Sequence, residues 1–116
     1  MRLIIAGGRD FTNLDLMTSK LDWILKDVDQ EVTIISGTAR GADQTGEAYA
    51  ELRGYEVARY PAEWNRYGKS AGYKRNEQMA ETATHCVVFW DGQSRGSKHM
   101  IDIAKREGLP LRIVHY

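Results

Sequence analysis

The sequence of 116 residues has one cysteine, two prolines and no net charge, and each scarcity removes a class of protein. A lone thiol, Cys86, cannot form an internal disulfide, and its apolar strand context reads as a buried structural group. The histidines, His85, His99 and His115, share no spacing that would build a zinc site or a catalytic triad, so neither metal nor cofactor is expected. Sixteen Lys and Arg balance sixteen Asp and Glu, which disfavours a broad nucleic-acid surface while leaving room for a local basic patch. No apolar run approaches the roughly 20 residues that span a bilayer, so no membrane association is expected. Residues 1–6 run straight into a glycine turn and are too short for a signal peptide, making a cytoplasmic location the default expectation. Repeats, low-complexity tracts and linkers are missing too, and a single domain over 1–116 is expected.

What the sequence does have is a regular alternation of short apolar strands and helical stripes. Strands are predicted at 2–6, 32–35, 55–60, 85–90 and 109–114. The first helix shows Leu14, Met17, Leu21, Leu25 and Val28 on one face, with Thr12 or Asn13 as its cap. Ala42, Thr45, Tyr49 and Leu52 mark a second helical stripe, closed by Gly54. A third helix is predicted from about Ser70 to Thr82, and a fourth through Met100, Ile101 and Ala104 to Glu107. The order βαβαβαβαβ, with strands apolar on both faces, predicts an α/β Rossmann-like fold. It would be a three-layer αβα sandwich around a five-stranded, mainly parallel sheet. Right-handed crossovers then bring every strand-to-helix loop to one edge, where such sheets bind ligands.

Three of those loops share a composition. The first is Gly7-Gly8-Arg9-Asp10-Phe11, the second runs from Ser36-Gly37 through Arg40 to Asp43, and a later one is Asp91-Gly92-Gln93-Ser94-Arg95-Gly96-Ser97. Glycine lets backbone approach a ligand, a helix N-terminus offers free N–H groups, and arginine adds a forked cationic donor. Tight turns alone would explain the glycines but explain the arginines less well. Internal pairing with Asp10, Asp43 or Asp91 is the competing role for the arginines. The loops together point to a phosphorylated ligand at the carboxyl edge. Ser94, Gly96 and Ser97 would cradle phosphate, and Arg9, Arg40, Arg75 and Arg95 are candidates to neutralise it. Between the third strand and third helix lies an aromatic and basic stretch. Trp64, Tyr67 and Tyr73 there could stack on a base or serve as packing and oligomer contacts, and Lys69, Lys74 and Arg75 could meet phosphate. Gly68-Lys69-Ser70 looks like the end of a P-loop, but Glu63 stands where its first glycine belongs.

These elements, with Arg75-Asn76 early in the third helix, resemble the SLOG superfamily and above all its small YspA/YpsA-related branch, found in bacteria and phages. The similarity runs over the whole chain. Residues 36–43 are similar to the Ser-Gly-x-Ala-Arg-Gly-Ile-Asp element of DprA proteins. The resemblance implies a nucleotide-derived ligand. It also relates the chain to the LOG phosphoribohydrolases, whose phosphate loop ends in a glutamate and is assisted by an upstream Arg-Lys pair. Arg75 matches that arginine, but Asn76 replaces the lysine and Met100 occupies the glutamate position. Methionine can neither stabilise an oxocarbenium-like centre nor orient a water. Catalysis would therefore have to fall to Asp10, Asp43 or Glu77.

Three functions are weighed on these grounds. The first is a noncatalytic binder of a nucleotide-like ligand, acting as a sensor or sequestering protein. The second is a nucleotide N-glycosidase, and the third a DprA-like module for single-stranded DNA, which zero net charge disfavours. Expected ligand contacts are Gly7, Gly8, Arg9, Asp10, Ser36, Gly37, Arg40, Asp43, Trp64, Arg75, Asn76, Asp91, Ser94, Arg95, Gly96 and Ser97. Trp23 lies off the first helix's apolar stripe and, with Trp64 and Tyr67, suggests a homo-oligomer, a dimer or higher.

Overall fold

Alternate residues of the first strand enter two different cores, and this fixes the layering. In the computed structural model, which describes residues 1–116, β1 (Arg2–Gly7) lies at the centre of one sheet. Beside it run β2 (Thr33–Ser36), β3 (Glu56–Arg59), β4 (His85–Trp90) and β5 (Leu111–His115). The order is β3-β2-β1-β4-β5 and every neighbouring pair is parallel. Ile4 pairs with Ile35 on one side and with Cys86 on the other.

Leu3 and Ile5 point to the face covered by α1 (Leu14–Leu25) and α2 (Ala42–Arg53), where Met17, Leu21, Tyr49 and Phe89 complete the core. Ile4 and Ala6 point the opposite way. They meet Met79 and Ala80 of α4 (Ala71–Thr82) and Met100, Ile101 and Ala104 of α5 (Arg95–Arg106). Side chains alternate across a strand, so a strand buried on both faces shows a continuous apolar run and no alternation. The expected three-layer αβα sandwich is the observed architecture, with the sheet wholly parallel.

Local chemistry sets the helix ends. The Asn13 side chain accepts from the Leu16 N–H at 2.9 Å, so Asn13 and not Thr12 caps α1. Gly54 closes α2 in the left-handed conformation, φ 73°. Two expectations need correction. Leu52 is 55% exposed, because α2 turns Asp43, Gly46, Tyr49 and Ala50 inward instead. The aromatic and basic stretch after β3, read only as the connection to a helix beginning at about Ser70, itself coils into a one-turn helix, α3 (Trp64–Tyr67), and a 3-10 turn, Gly68–Ser70. Arg66 and Tyr67 both donate backbone N–H groups to the Glu63 carbonyl, at 3.0 Å. No helix is long and apolar enough to cross a membrane.

Chain order reverses between β1 and β4. From β1 the connections run outward to β2 and β3 on one side, and the later strands lie on the other. The carboxyl ends of β1 and β4 therefore flank the switch point at which open α/β sheets bind ligands.

Candidate functional site

At that point lies a cleft of about 710 Å³. The end of β1 and its loop supply Gly7, Gly8, Arg9 and Asp10, and the loop after β2 supplies Arg40 and Asp43. Trp64 and Lys69 come from the aromatic stretch, Arg75 and Asn76 from α4, and Asp91, Ser94, Gly96 and Ser97 from the start of α5. The topology has brought together loops that are far apart in sequence.

The loop after β2 is built around the buried Asp43. Its Oδ2 accepts from the Ala39 N–H at 3.1 Å and stands 4.0 Å from Arg75 Nη1. Burial dominates its acidity and raises its pKa to about 6, against the opposing pull of Arg75 and the Ala39 N–H. Burial likewise lowers the pKa of Arg75, and Asp43 partly restores it. Arg75 donates through Nη1 to the Gly37 carbonyl at 2.5 Å and through Nε to Asn76 Oδ1 at 3.1 Å. A Cβ on Gly37 would stand 2.7 Å from both the Arg75 guanidinium and the Asp43 carboxylate, so glycine here makes room for that pair. Gly41, at φ 83°, is held against the backbone of Gly8 and Arg9. Thr38 adopts φ 65°, a left-handed conformation that strains a β-branched residue. Ser36 is buried and donates to Glu47 Oε2 at 2.6 Å, bracing the loop from beneath.

The start of α5 is more open. Ser94 caps it, accepting from the Ser97 N–H at 3.4 Å and the Ser97 hydroxyl at 3.1 Å. Asp91 accepts from the Gln93 and Ser94 N–H groups, which hold its pKa below the ordinary carboxylate range. N–H groups of a first helical turn have no acceptor within the helix, and that of Gly96 belongs to this turn. A Cβ on Gly96 would meet nothing within 4 Å, so nothing inside the protein requires glycine there. Asn76 ties the two sides of the cleft together. Its Nδ2 reaches the Gly96 carbonyl at 3.5 Å and His99 Nδ1 at 3.2 Å, while its Oδ1 receives Arg75. Because an amide nitrogen only donates, His99 Nδ1 is the acceptor, and burial lowers the His99 pKa in keeping with a neutral ring.

In the first loop, Asp10 accepts from the Tyr116 hydroxyl at 2.6 Å, and the Tyr116 ring packs edge-on against Phe11. A Cβ on Gly7 would run into the Phe89 carbonyl, and one on Gly8 into the Tyr116 hydroxyl. These glycines admit the protein's own atoms. Arg9 and Arg40 are exposed and form no ion pair.

Six of the residues singled out from sequence lie elsewhere, two of them being Tyr67 and Lys74, whose ammonium stands 4.9 Å from the Tyr67 ring outside the cleft. Ser36 is beneath the loop, and Gly37 faces an adjoining pocket. Arg95 points to the far side of the α5 start, among Tyr73, Trp90 and Lys98. Glu77 pairs with Arg106 at 2.6 Å, away from the cleft, so of the three candidate acids only Asp10 and Asp43 line it. Met100 lies in the cleft floor and is 1% exposed. Burying such a side chain contributes about 1.5–3 kcal/mol, so the position is part of the core. Sequence reasoning missed Met79 in the same floor and Tyr116 on Asp10. Helical spacing from Ala80 and Ala83 could have flagged Met79 as inward-facing, but no local signal marks Tyr116.

Residues 1–67 match the model of the family described as YspA, cpYpsA-related SLOG family. The Gene 61 protein of Mycobacterium phage D29 is 29% identical over 116 residues, covering 95% of this chain and 93% of that protein. DNA processing protein A from Streptococcus pneumoniae superimposes with a TM-score of 0.68 at 18% identity, over 97% of this chain and 49% of that one. This chain spans about half of that protein, and the likeness is one of fold.

Proposed function

The chain belongs to the YspA, cpYpsA-related SLOG family, and from that premise we propose that it binds a nucleotide-derived, phosphorylated ligand in the cleft without turning it over. The observation that carries this reading is the first turn of α5. It opens on the cleft with a glycine that no internal contact demands, and the same cleft holds Arg9, Arg40 and Lys69, none of them in an ion pair, alongside Asp10, Asp43 and Asp91. Free N–H groups at a helix start and unpaired guanidiniums are complementary to phosphate. A sensor or sequestering role follows from binding without chemistry, since Met100 leaves the cleft floor apolar.

Calorimetric titration with adenosine and guanosine 5′-monophosphates tests the reading. Binding is expected, and Gly96→Val should weaken it tenfold or more with the melting temperature kept. No binding to folded protein, or unchanged affinity in Gly96→Val, overturns it.

One observation favours a second reading, a nucleotide N-glycosidase. Asp43, with its pKa raised to about 6, retains a partly protonated carboxyl near neutral pH, as a general acid requires. Its Oδ2 is already held by Ala39 and Arg75, which argues for a structural duty. Release of free adenine and ribose 5-phosphate from adenosine monophosphate, absent in Asp43→Asn, would establish the enzyme.

A further inference from the structure

On the far side of the α5 start from the cleft lies a separate hollow of about 430 Å³, walled by Tyr73, Trp90, Arg95 and His99. His99 is half-buried there and does not line the cleft, whereas Asn76 lines the cleft and not the hollow. The hydrogen bond from Asn76 Nδ2 to His99 Nδ1, at 3.2 Å, joins the two sides. Its direction is fixed from the cleft side. Arg75 Nε can only donate, so it takes the amide oxygen at 3.1 Å and leaves the amide nitrogen for His99 and for the Gly96 carbonyl at 3.5 Å. An imidazolium donates from both nitrogens, so a proton on Nδ1 sets donor against donor. Turning the amide over would satisfy the ring. It would also bring the amide nitrogen against Arg75 Nε and the amide oxygen against the Gly96 carbonyl. Asn76 can hold a neutral His99 together with Arg75, or a protonated His99 without it.

From this arrangement, and resting on the cleft being the ligand site, we infer that His99 gates the cleft from outside it. A proton taken up from the hollow turns the Asn76 amide, releases Arg75, disturbs the first turn of α5 and so weakens anion binding. His99 is a positioning residue that touches no ligand and acts through Asn76. The charges around the ring are mostly paired among themselves. Glu77 of α4 binds Arg106 at 2.6 Å, and Asp102 binds Lys98 at 2.5 Å. Arg95 lines the same hollow, and the Tyr73 ring packs on the imidazole at 4.4 Å. Burial, the largest influence, favours the neutral ring; Glu77 and Asp102 favour the imidazolium, and Arg106 opposes it. The proton enters the hollow and the ligand the cleft, so the two sites are distinct. By linkage, ligand binding must then favour loss of the proton from His99.

The experiment follows adenosine monophosphate binding by calorimetry between about pH 5 and about pH 8 on the wild type, His99→Asn and His99→Leu. Asparagine offers an oxygen near the place of Nδ1 that accepts at every pH, and leucine never accepts. The wild type is expected to match His99→Asn at the upper end. At the lower end it should bind roughly fivefold or more weakly than His99→Asn, approaching His99→Leu. Proton uptake by the phosphate and by Asp43 is common to all three chains and cancels in these ratios. The relay is read separately, without ligand, from the imidazole resonances of His99, identified by their loss in His99→Asn. Arg75→Lys keeps the charge but lacks Nε, so the amide turns freely and the His99 pKa should rise. A constant ratio of wild type to His99→Asn, or tighter wild-type binding at low pH, overturns the gate while nucleotide binding stands. An unmoved His99 pKa in Arg75→Lys overturns the relay. No binding to any of the folded chains overturns the nucleotide reading and the gate with it.

Discussion

Arg75 Nη1 lies 4.0 Å from the Asp43 carboxylate but donates its 2.5 Å hydrogen bond to the Gly37 carbonyl instead. The acid is thus buried beside a cation that is only partly committed to it. Its folded pKa of about 6 exceeds the ordinary 3.8, so the folded chain takes up the proton more readily than the unfolded one. Asp43's own contribution to stability should fall as pH rises from about 4 to about 6, by at most about 3 kcal/mol at roughly 1.4 kcal/mol per unit, while Asp22, Glu77, Asp91 and Asp102, held below the ordinary range, contribute in the opposite sense. Denaturant unfolding of the wild type and of Asp43→Asn across that range should differ by the Asp43 slope. An unchanged slope would mean that Asp43 titrates normally.

The cap of α5 can be removed without touching the core. Ser94→Ala takes away the oxygen that receives both the Ser97 N–H and its hydroxyl. A loss of about 1 kcal/mol is expected, the usual cost of an N-cap. Chemical denaturation measures it, and a loss below about 0.3 kcal/mol would show that the long 3.4 Å bond contributes little.

Thr38 holds a positive φ that glycine would adopt freely. Relief of strain should outweigh glycine's greater freedom in the unfolded chain, and Thr38→Gly is expected to gain about 1 kcal/mol. Thr38→Ala keeps a Cβ in the same conformation and should gain much less. The difference between the two melting temperatures is the readout.

Burial, followed by the hydrogen bond to Asp10, holds the Tyr116 phenol well above the ordinary tyrosine range. Burial and Asp22 do the same for Tyr49. Ultraviolet titration should therefore show two late-ionising tyrosines, and Asp10→Asn should return one of them towards the normal range. The folded chain keeps these protons after the unfolded chain has lost them, so both tyrosines make stability decline as pH climbs above 10. Tyr116→Phe should soften that decline.

The sheet was legible because β-branched runs such as Val32–Ile35 and Cys86–Phe89 have few other uses, and because glycine ends most of the elements. Leu52 misled because periodicity assigns a face without weighing what opposes it. A Cβ on Gly46 would stand 2.9 Å from Ile5 Cγ2, and this close approach rolls α2 towards Gly46 and Ala50. The turn at Trp64–Tyr67 carries no apolar stripe and buries no residue, so no pattern announced it. Within the site, loop composition located the cleft, but composition does not give direction. Arg95 and Arg40 occupy similar Gly/Arg loops and point to different cavities. Tyr116 reaches Asp10 across 106 positions, a relation that only the fold creates.

The two apolar cores are separated by the sheet, one closed by α1 and α2 and the other by α4 and α5. The cleft is lined from both sides of that partition, by the loop entering α2 and by α4 and α5. A ligand held there would staple the two layers to each other. Amide exchange in α2 and in α5 should slow together when the cleft fills, because opening of either layer then requires release of the ligand.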